Sequence, residues 1–283
     1  MRVGFIGLGQ MGAPMARHLA GKDLVVFDTR PDAVAPLVEA GARAARSVAE
    51  AAAHSDLVSV MVRDDGQVDE VGAEILASAR PGTVVAVHST IRAQTAEDLA
   101  EKARRYEIEV VDAPVSGGFM GASAGSLAVM VGGTEEAFER CREPFGAWAD
   151  LVLHMGPVGA GTRTKLARNM LHFVSFTAAA EAQRLAEASG VSLRKLGRVV
   201  RHTDAVTGGA GSIMLRPTTA PMEPDDDLYD ILSHTRDLGE KDLSLALELA
   251  GELGVDTPFA RLALERFGPG LGLTRDGDGD ARE

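Results

Sequence analysis

Short apolar runs rich in β-branched residues alternate with amphipathic stretches over about the first 160 residues of the chain. The amphipathic stretches, such as residues 32–40 and 95–106, repeat their apolar positions with the period of an α-helix. Strands that alternate with helices are typical of a parallel sheet covered on both faces. The apolar runs predict buried strands at residues 3–6, 24–27, 57–62, 83–87, 109–111, 127–131 and 151–154.

The pattern changes after the glycine-rich segment 156–161. Residues 162–189 contain neither Gly nor Pro and predict one long helix, and further helices are predicted at residues 192–202, 231–253 and 258–265. Three prolines within residues 216–224 predict a loop. We therefore predict an α/β domain at residues 1–161, an all-α domain at 162–267 and a flexible tail at 268–283.

A glycine-rich turn connects the first predicted strand to the first predicted helix. In this context the first glycine permits a tight turn, the second lets the backbone approach a pyrophosphate, and the third allows the helix to pack closely on the strand. The alternative is an incidental glycine turn. We predict that the turn binds a dinucleotide through Gly7, Leu8, Gly9, Gln10, Met11 and Gly12.

Asp28 ends the second predicted strand, sixteen residues after Gly12. A carboxylate at this place accepts hydrogen bonds from a ribose diol and repels a 2′-phosphate, so the sequence favours NAD over NADP. NADP stays open because the guanidinium of Arg30 is able to accommodate a phosphate, although Arg30 is also typical of a solvated loop cation. We assign Asp28, Thr29 and Arg30 to the cofactor site.

The composition narrows the range of partners. A formal net charge of −12 and a content of one Trp and two Tyr argue against nucleic acid, which requires a basic face and stacking rings. The chain has no apolar run long enough for a bilayer and no secretory signal, so we expect a cytoplasmic protein that binds no membrane. The single cysteine excludes an internal disulfide and a cysteine-rich zinc site, and we predict no metal.

A small polar turn follows the strand predicted at residues 109–111. Its residues are Ser116, Gly117 and Gly118, and a hydroxyl beside two glycine amides suits a carboxylate. Ligands bind at the carboxyl edge of such sheets, where this turn is predicted to lie. The alternative is an ordinary Gly-Gly turn.

Two charged segments lie on the predicted helices of the second half. Lys165 and Asn169 are four residues apart, so they share one face of the long helix. Lys241 is followed by Asp242 on a later helix. Taken singly, each pair is also typical of a solvated helix surface.

In order and spacing these segments resemble the β-hydroxyacid dehydrogenases, the 3-hydroxyisobutyrate dehydrogenase family. The resemblance covers roughly residues 1–265 and implies a Rossmann domain, a long interdomain helix and an all-α domain that commonly mediates oligomer contacts. It rests on residues 3–12, 89–91, 112–118, 121–133 and 241–243 and on the spacing of Gly161, Lys165 and Asn169.

The resemblance also implies a role for each candidate residue. Lys165 is then the general acid/base for the substrate hydroxyl, and Asn169 holds the substrate or orients the lysine. The turn at 116–118 binds the substrate carboxylate. Thr90 lies at the nicotinamide ribose, and Lys241 closes the site from the all-α domain against both substrate and cofactor.

Several positions depart from the family pattern and leave the substrate open. Arg168 stands where relatives often have Asn, and Arg92 stands where Pro is typical. Residues 61–64 replace the usual Leu-Pro loop, and we assign Met61 and Val62 to the cofactor site. His234 stands where Phe is usual, and it is either a substrate-pocket residue or a partly buried structural histidine.

The predicted function is hydride transfer between NAD(P) and a small β-hydroxy acid such as 3-hydroxyisobutyrate, or its semialdehyde. Tartronate semialdehyde, succinic semialdehyde and glyoxylate remain open as substrates. Imine reductases resemble the same fold, but they usually lack a lysine at the position of Lys165. A catalytically silent dinucleotide-binding scaffold is the alternative that is not an enzyme.

The predicted long helix is apolar on nearly all of its sides, with Met170, Phe173, Phe176 and Leu185 among its residues. A helix of this kind requires burial all round. We predict a homodimer or homotetramer that uses the all-α domain. The alternative is that the helix packs internally against residues 192–265.

Overall fold

The computed structural model describes residues 1–273. The chain divides into two compact units, Met1–Asn169 and a second unit that begins at Met170. The first unit is built on one sheet, and the second is helical. The strands are β1 (Val3–Ile6), β2 (Leu24–Phe27), β3 (Arg43–Ala44), β4 (Leu57–Val60), β5 (Val84–Val87), β6 (Glu109–Asp112), β7 (Val115–Ser116), β8 (Leu127–Gly132) and β9 (Ala149–Gly156).

Helices follow most of these strands in the chain. The predicted domain boundary at residue 161 lies near the beginning of α8, whereas the first compact unit extends along that helix to Asn169. The helices are α1 (Gly12–Arg17), α2 (Pro31–Glu39), α3 (Val48–Ala53), α4 (Asp65–Ser78), α5 (Ala93–Arg104), α6 (Gly118–Ala124), α7 (Glu135–Phe145), α8 (Ala160–Ala188), α9 (Leu193–Thr207), α10 (Tyr229–Glu252) and α11 (Pro258–Gly270).

The sheet of the first unit has the strand order β3-β2-β1-β4-β5-β6-β8-β7, with β9 paired to β8. The strands from β1 to β6 are parallel, so their carboxyl ends meet at one edge. β8 runs antiparallel to both β6 and β7, which corrects the expectation of a wholly parallel sheet. The reversal follows from the short connection through Gly117, Gly118 and α6, because a parallel return requires a longer crossover.

Two apolar cores cover the two faces of the sheet, because successive side chains of a strand point to opposite faces. Phe5 and Val26 belong to one core, which also contains Trp148, while their neighbours Ile6 and Val25 belong to the other. Helices therefore cover both faces, as the alternating pattern predicted.

In the second unit, residues 216–224 form neither helix nor strand, as the prolines predicted. The predicted tail is wrong for its first part. α11 continues to Gly270, and Leu271 and Leu273 are buried against Met222 and Leu232. Residues 274–283, the rest of that predicted tail, lie outside the described residues. Among residues 1–273, no helix is both long enough and apolar enough to cross a membrane.

Candidate active site

The glycine-rich turn between β1 and α1 has the tight geometry that its sequence predicts. Gly7 has a φ of +91°, and a Cβ added there would overlap the carbonyl oxygen of Met61. A Cβ at Gly12 would overlap the carbonyl oxygen of Gly7. At Gly9, by contrast, a Cβ would meet no atom within 4 Å. The first and third glycines therefore close the turn, and the second leaves open space above it.

Asp28 connects this turn to the end of β2. Its Oδ2 accepts a hydrogen bond from the Leu8 amide at 2.7 Å, and its Oδ1 accepts one from the Arg30 amide at 2.9 Å. A carboxylate has about four acceptor positions, so each oxygen retains capacity for a further donor such as a ribose hydroxyl. The Leu8 side chain is buried, so Leu8 supports the turn through its amide. The Arg30 side chain lies beside the same carboxylate, with its Nε 3.4 Å from Asp28 Oδ1.

A cavity of about 850 Å³ opens at the carboxyl ends of β1, β2 and β4. Its size and its glycine floor fit part of a dinucleotide. Arg46, Ser47, Val48 and Gln67 also line it, and the sequence reading did not include them. The predicted cofactor residues along its wall are Gly7, Gly9, Gln10, Met11, Gly12, Asp28, Thr29, Arg30, Met61 and Val62.

Ser89 fixes one wall of this cavity. Its hydroxyl donates to the Val62 carbonyl at 2.8 Å and accepts from the Val62 amide at 3.0 Å. The Ser89 side chain therefore satisfies both backbone groups of Val62, as the backbone of a neighbouring strand would. Ser89 belongs to one of the segments that carry the family resemblance, but only the structure shows what it holds. The neighbouring Thr90, predicted at the nicotinamide ribose, is exposed after β5.

The turn at residues 116–118 has two consecutive glycines with positive φ, Gly117 at +132° and Gly118 at +62°. A side chain at Gly117 would press on Leu127, whereas a Cβ at Gly118 would meet nothing within 4 Å. Ser116 is half-buried and pairs with Ala128 across the sheet. The turn therefore presents a hydroxyl and an uncovered backbone beyond the carboxyl end of β6, and such a surface suits a small anion.

Lys165 is a buried cation on the first part of α8, and it does not line the cavity described above. Only 8% of the residue is exposed, and no hydrogen bond or ion pair of its ammonium group occurs among residues 1–273. Burial, assisted by the nearby charge of Arg168, lowers the pKa of Lys165 from 10.5 to about 8. A lysine with such a pKa exchanges protons readily near neutral pH.

Arg168 and Asn169 follow on the same helix. Arg168 Nη1 donates to Asn169 Oδ1 at 3.3 Å, and this bond leaves the amide hydrogens of Asn169 to other partners. In the sequence, Arg168 is recognisable only as a departure from the family pattern. The structure adds that its positive charge helps to lower the pKa of Lys165.

His88, by contrast, belongs to the core. Its Nδ1 lies 2.8 Å from the Ala113 carbonyl and its Nε2 lies 3.1 Å from Ser59 Oγ, so both ring nitrogens are used. Its ring packs against Phe5 and Trp148, and burial lowers the pKa of His88 to about 4. These contacts describe a structural histidine. Across residues 1–273, no group of three or more His, Cys, Asp or Glu side chains is placed to hold a metal ion.

The two remaining predicted residues, His234 and Lys241, lie on α10 of the second unit. Both are exposed, and Lys241 Nζ is 3.2 Å from Asp242 Oδ1. Exposure does not favour the partly buried structural histidine that was the alternative for His234. The roles of both residues in substrate or cofactor binding stay predictions.

Comparison with known proteins agrees with this architecture. The family model for the NAD binding domain of 6-phosphogluconate dehydrogenase matches residues 2–156. A second family model, for the NAD-binding region of NADP-dependent 3-hydroxyisobutyrate dehydrogenase, matches residues 159–280. A Rossmann domain with a glycine-floored cavity, followed by a helical unit of this family, defines the chain as an NAD(P)-binding oxidoreductase.

Comparison with individual relatives identifies the family within the NAD(P)-binding oxidoreductases. An uncharacterized oxidoreductase of Mycobacterium tuberculosis is 57% identical over all of this chain and 97% of its own length. The NAD-dependent L-serine dehydrogenase of Pseudomonas aeruginosa is 38% identical over 94% of this chain and 91% of its own. A solved structure of M. tuberculosis 3-hydroxyisobutyrate dehydrogenase with L-serine is 32% identical, covers 96% of both chains and superposes with a TM-score of 0.67. The chain belongs to the 3-hydroxyisobutyrate dehydrogenase family of β-hydroxyacid dehydrogenases.

Proposed function

We propose that this protein is an NAD-dependent dehydrogenase of a small β-hydroxy acid, with Lys165 as the group that takes or returns the hydroxyl proton. The observation that carries the proposal is the buried side chain of Lys165, whose ammonium has no hydrogen-bond or ion-pair partner among residues 1–273 and whose pKa of about 8 lies close to neutral pH. A general acid/base works best when its pKa is near the operating pH. A lysine kept only for stability is more commonly exposed or paired with a carboxylate.

The chain's own residues divide the work of the reaction. NAD, when bound, supplies the hydride acceptor at its nicotinamide ring. Neutral Lys165 accepts the substrate hydroxyl proton during oxidation, and protonated Lys165 returns it during reduction. Asn169 donates from its side-chain amide to the substrate oxygen or holds the lysine in line.

The turn at residues 116–118 binds the substrate carboxylate in this proposal. The Ser116 hydroxyl and the uncovered backbone at Gly118 support this binding, because together they suit one carboxylate. Neither group carries a positive charge that would favour a second acidic group on the substrate. Two of the relatives support a substrate of this size, because one is named an L-serine dehydrogenase and another has a solved structure with L-serine. Serine and 3-hydroxyisobutyrate are both short β-hydroxy acids.

We further propose that NAD is preferred to NADP. Asp28 supports this preference, because its carboxylate is held by two backbone amides and stands at the cavity wall, where it repels a 2′-phosphate. Arg30 favours the second possibility, NADP, because its guanidinium is exposed beside that carboxylate. Direct titration of both reduced cofactors decides between them.

We also propose that the protein forms a homodimer or homotetramer through its second unit. Helix α9 has no buried residue, and its apolar side chains Val199 and Val206 are 60% and 75% exposed. Phe173 and Phe176 of α8 are also exposed, although the pattern of that helix predicts burial all round. Apolar faces of this extent are typical of surfaces that a second copy covers. Light scattering on the purified protein tests this, and a monomer at micromolar concentration would refute it.

Steady-state turnover tests the proposed function. The substrates are L-serine, 3-hydroxyisobutyrate, the semialdehydes named above and cyclic imines, each assayed with NAD(H) and NADP(H). Wild-type protein is compared with Lys165→Met and with Lys102→Met, a control that removes an exposed lysine of α5. We expect turnover of at least one short β-hydroxy acid that Lys165→Met abolishes and Lys102→Met retains.

Other results would replace the proposal. Turnover of cyclic imines alone would identify an imine reductase. Cofactor binding without turnover of any of these substrates, imines included, would favour a silent dinucleotide-binding scaffold.

A further inference from the structure

Asp112, the last residue of β6, has a fully buried carboxylate that contacts the beginning of α8. Its Oδ1 accepts a hydrogen bond from the Gly159 amide at 2.7 Å, and its Oδ2 accepts one from the Thr162 amide at 2.6 Å. Both amides lie where the chain enters α8, and the first amides of a helix have no partner within the helix. Asp112 thus caps a helix that begins about fifty residues later in the chain.

This cap differs from the others in the same unit. Helices α3, α4 and α7 are capped by Ser47, Asp64 and Thr134, each of which accepts from an amide three residues further along. Such local caps stabilise a helix end without tying it to another element. The bond from Asp112 instead joins the helix to the sheet. It also has a cost, because burial raises the pKa of Asp112, and hydrogen bonds, those from the Thr162 and Gly159 amides first among them, oppose that effect without cancelling it.

Two glycines bring the same helix end close to the sheet. A Cβ at Gly161 would overlap the carbonyl oxygens of Met130 and Asp112, and a Cβ at Gly132 would overlap the Asp112 carboxylate. The helix therefore rests on the strand ends at a separation that no larger residue permits. Lys165 lies one helical turn after Gly161 on the same face.

The position of Asp112 in the chain relates this anchor to the substrate turn. Ser116 is only four residues after Asp112, and β7 carries the chain directly from the anchor to the turn. One short segment thus leads to the turn at 116–118 and also holds the first turn of the helix that bears Lys165. Both parts of the proposed site, Lys165 and the turn at 116–118, are therefore positioned by the carboxyl end of β6.

We infer that Asp112 is a positioning residue, which sets the place of the Lys165 ammonium relative to the turn at 116–118 by clamping α8 to the end of β6. This inference rests on the proposed function, in which Lys165 transfers the proton. Asp112 itself touches neither substrate nor cofactor. Its effect passes through two backbone amides and one turn of helix.

The test replaces Asp112 with Asn, which keeps the size but places an amide NH₂ against one of the two backbone donors. The matched control is Glu181→Gln, because Glu181 is also buried and accepts from the two amides of Phe259 and Ala260 at the beginning of α11. Both variants lose a buried carboxylate that caps a helix, but only Asp112 caps the helix turn that leads to Lys165. If Asp112→Asn does not fold, Asp112→Glu keeps the charge and displaces the helix by the length of one methylene.

The first measurement needs neither cofactor nor turnover. Lys165 of the apoprotein is labelled with an amine reagent over a range of pH and quantified by mass spectrometry, which reports the pKa of the lysine. We expect the midpoint to move upward from about 8 toward the ordinary lysine value in Asp112→Asn, because a released helix lets water reach the ammonium. In Glu181→Gln the midpoint should stay where it is in the wild type.

The second measurement is turnover with the best substrate. We expect kcat of Asp112→Asn to fall by about 10²-fold, as for a small misplacement of a catalytic group, with the Kd for NADH unchanged. An unchanged labelling midpoint, or a loss of kcat no larger than that of Glu181→Gln, would overturn the positioning role. If the wild type turns over nothing, the proposed function fails, while the labelling result still decides whether Asp112 positions Lys165.

Discussion

The burial of the Lys165 side chain should make the wild-type protein less stable than a variant that lacks the lysine. The folded protein holds the pKa of Lys165 at about 8, whereas the unfolded chain returns it to the ordinary value of 10.5. Each unit of difference corresponds to about 1.4 kcal/mol, so the protonated lysine costs at most roughly 3 kcal/mol of the free energy of unfolding near neutral pH, and solvent screening of the ammonium reduces this value. Replacing Lys165 with Met, which is uncharged and similar in length, removes this cost.

The sign of the pH dependence follows from proton binding. Between about pH 8 and pH 10.5 the unfolded chain holds the Lys165 proton and the folded protein has lost it, so this residue adds stability as the pH rises. The advantage of Lys165→Met should therefore be largest at or below about pH 7 and should shrink to less than half near about pH 9.5. Taking the difference between the two proteins removes the contribution of all other titrating groups.

Thermal or urea unfolding of both proteins at several pH values measures this effect. For a protein of this size we expect the variant's Tm to rise by about 2 to 4 °C for each kcal/mol gained, while its dehydrogenase turnover is lost. Lys102→Met, at an exposed lysine, should change neither quantity. If Lys165→Met were less stable than the wild type near neutral pH, or if the difference were independent of pH, Lys165 would not be a strained buried cation.

Three further changes test other parts of the site. Replacing Asp28 with Ser should shift the ratio of the Kd values for NADH and NADPH toward NADPH by about tenfold or more, because a negative charge near the 2′-phosphate is removed; fluorescence titration measures it, and an unchanged ratio would contradict the role of Asp28. Replacing Arg168 with Gln should move the midpoint of the pH–rate profile upward, since Arg168 is the second cause of the lowered Lys165 pKa; a midpoint that stays or falls would exclude that effect. Replacing Ser89 with Ala removes both bonds to Val62 and should weaken NADH binding by about 1–2 kcal/mol, measured by calorimetry; equal binding would show that the cavity wall holds without them.

Much of the first unit could be predicted from periodicity and turn chemistry. Strands such as β1, β2 and β5 are continuous apolar runs, which is what burial on both faces of a sheet requires. The glycine turn at residues 7–12 could also be predicted, because its spacing has a physical reason. A Cβ at Gly7 or at Gly12 would overlap a backbone carbonyl oxygen. The two-residue strands β3 and β7 have no such signal, since they are defined only by their neighbours in the sheet.

The long-range contacts of the site could not be predicted in this way. The Asp28 carboxylate was expected to face a ribose, but no periodicity shows that it also holds the Leu8 amide twenty residues away. The anchor from Asp112 to the beginning of α8 joins residues about fifty positions apart and depends on how the helix meets the sheet. The flexible tail was predicted wrongly for a similar reason, because Leu271 and Leu273 are buried against Met222 of a loop and Leu232 of α10, which precede them by about forty to fifty residues.

The central claim is that Lys165 transfers the proton in a dehydrogenase reaction, and the pH dependence of kcat/KM in both directions tests it most directly. With a pKa of about 8, oxidation of the hydroxy acid should rise with pH and reduction of the carbonyl should fall, both through the same midpoint. Lys165→Met should lose both profiles, with a decrease of about 10² to 10⁴-fold in rate and an unchanged Kd for NADH. Profiles that do not mirror each other, or a Lys165→Met protein that retains wild-type rates, would contradict the account.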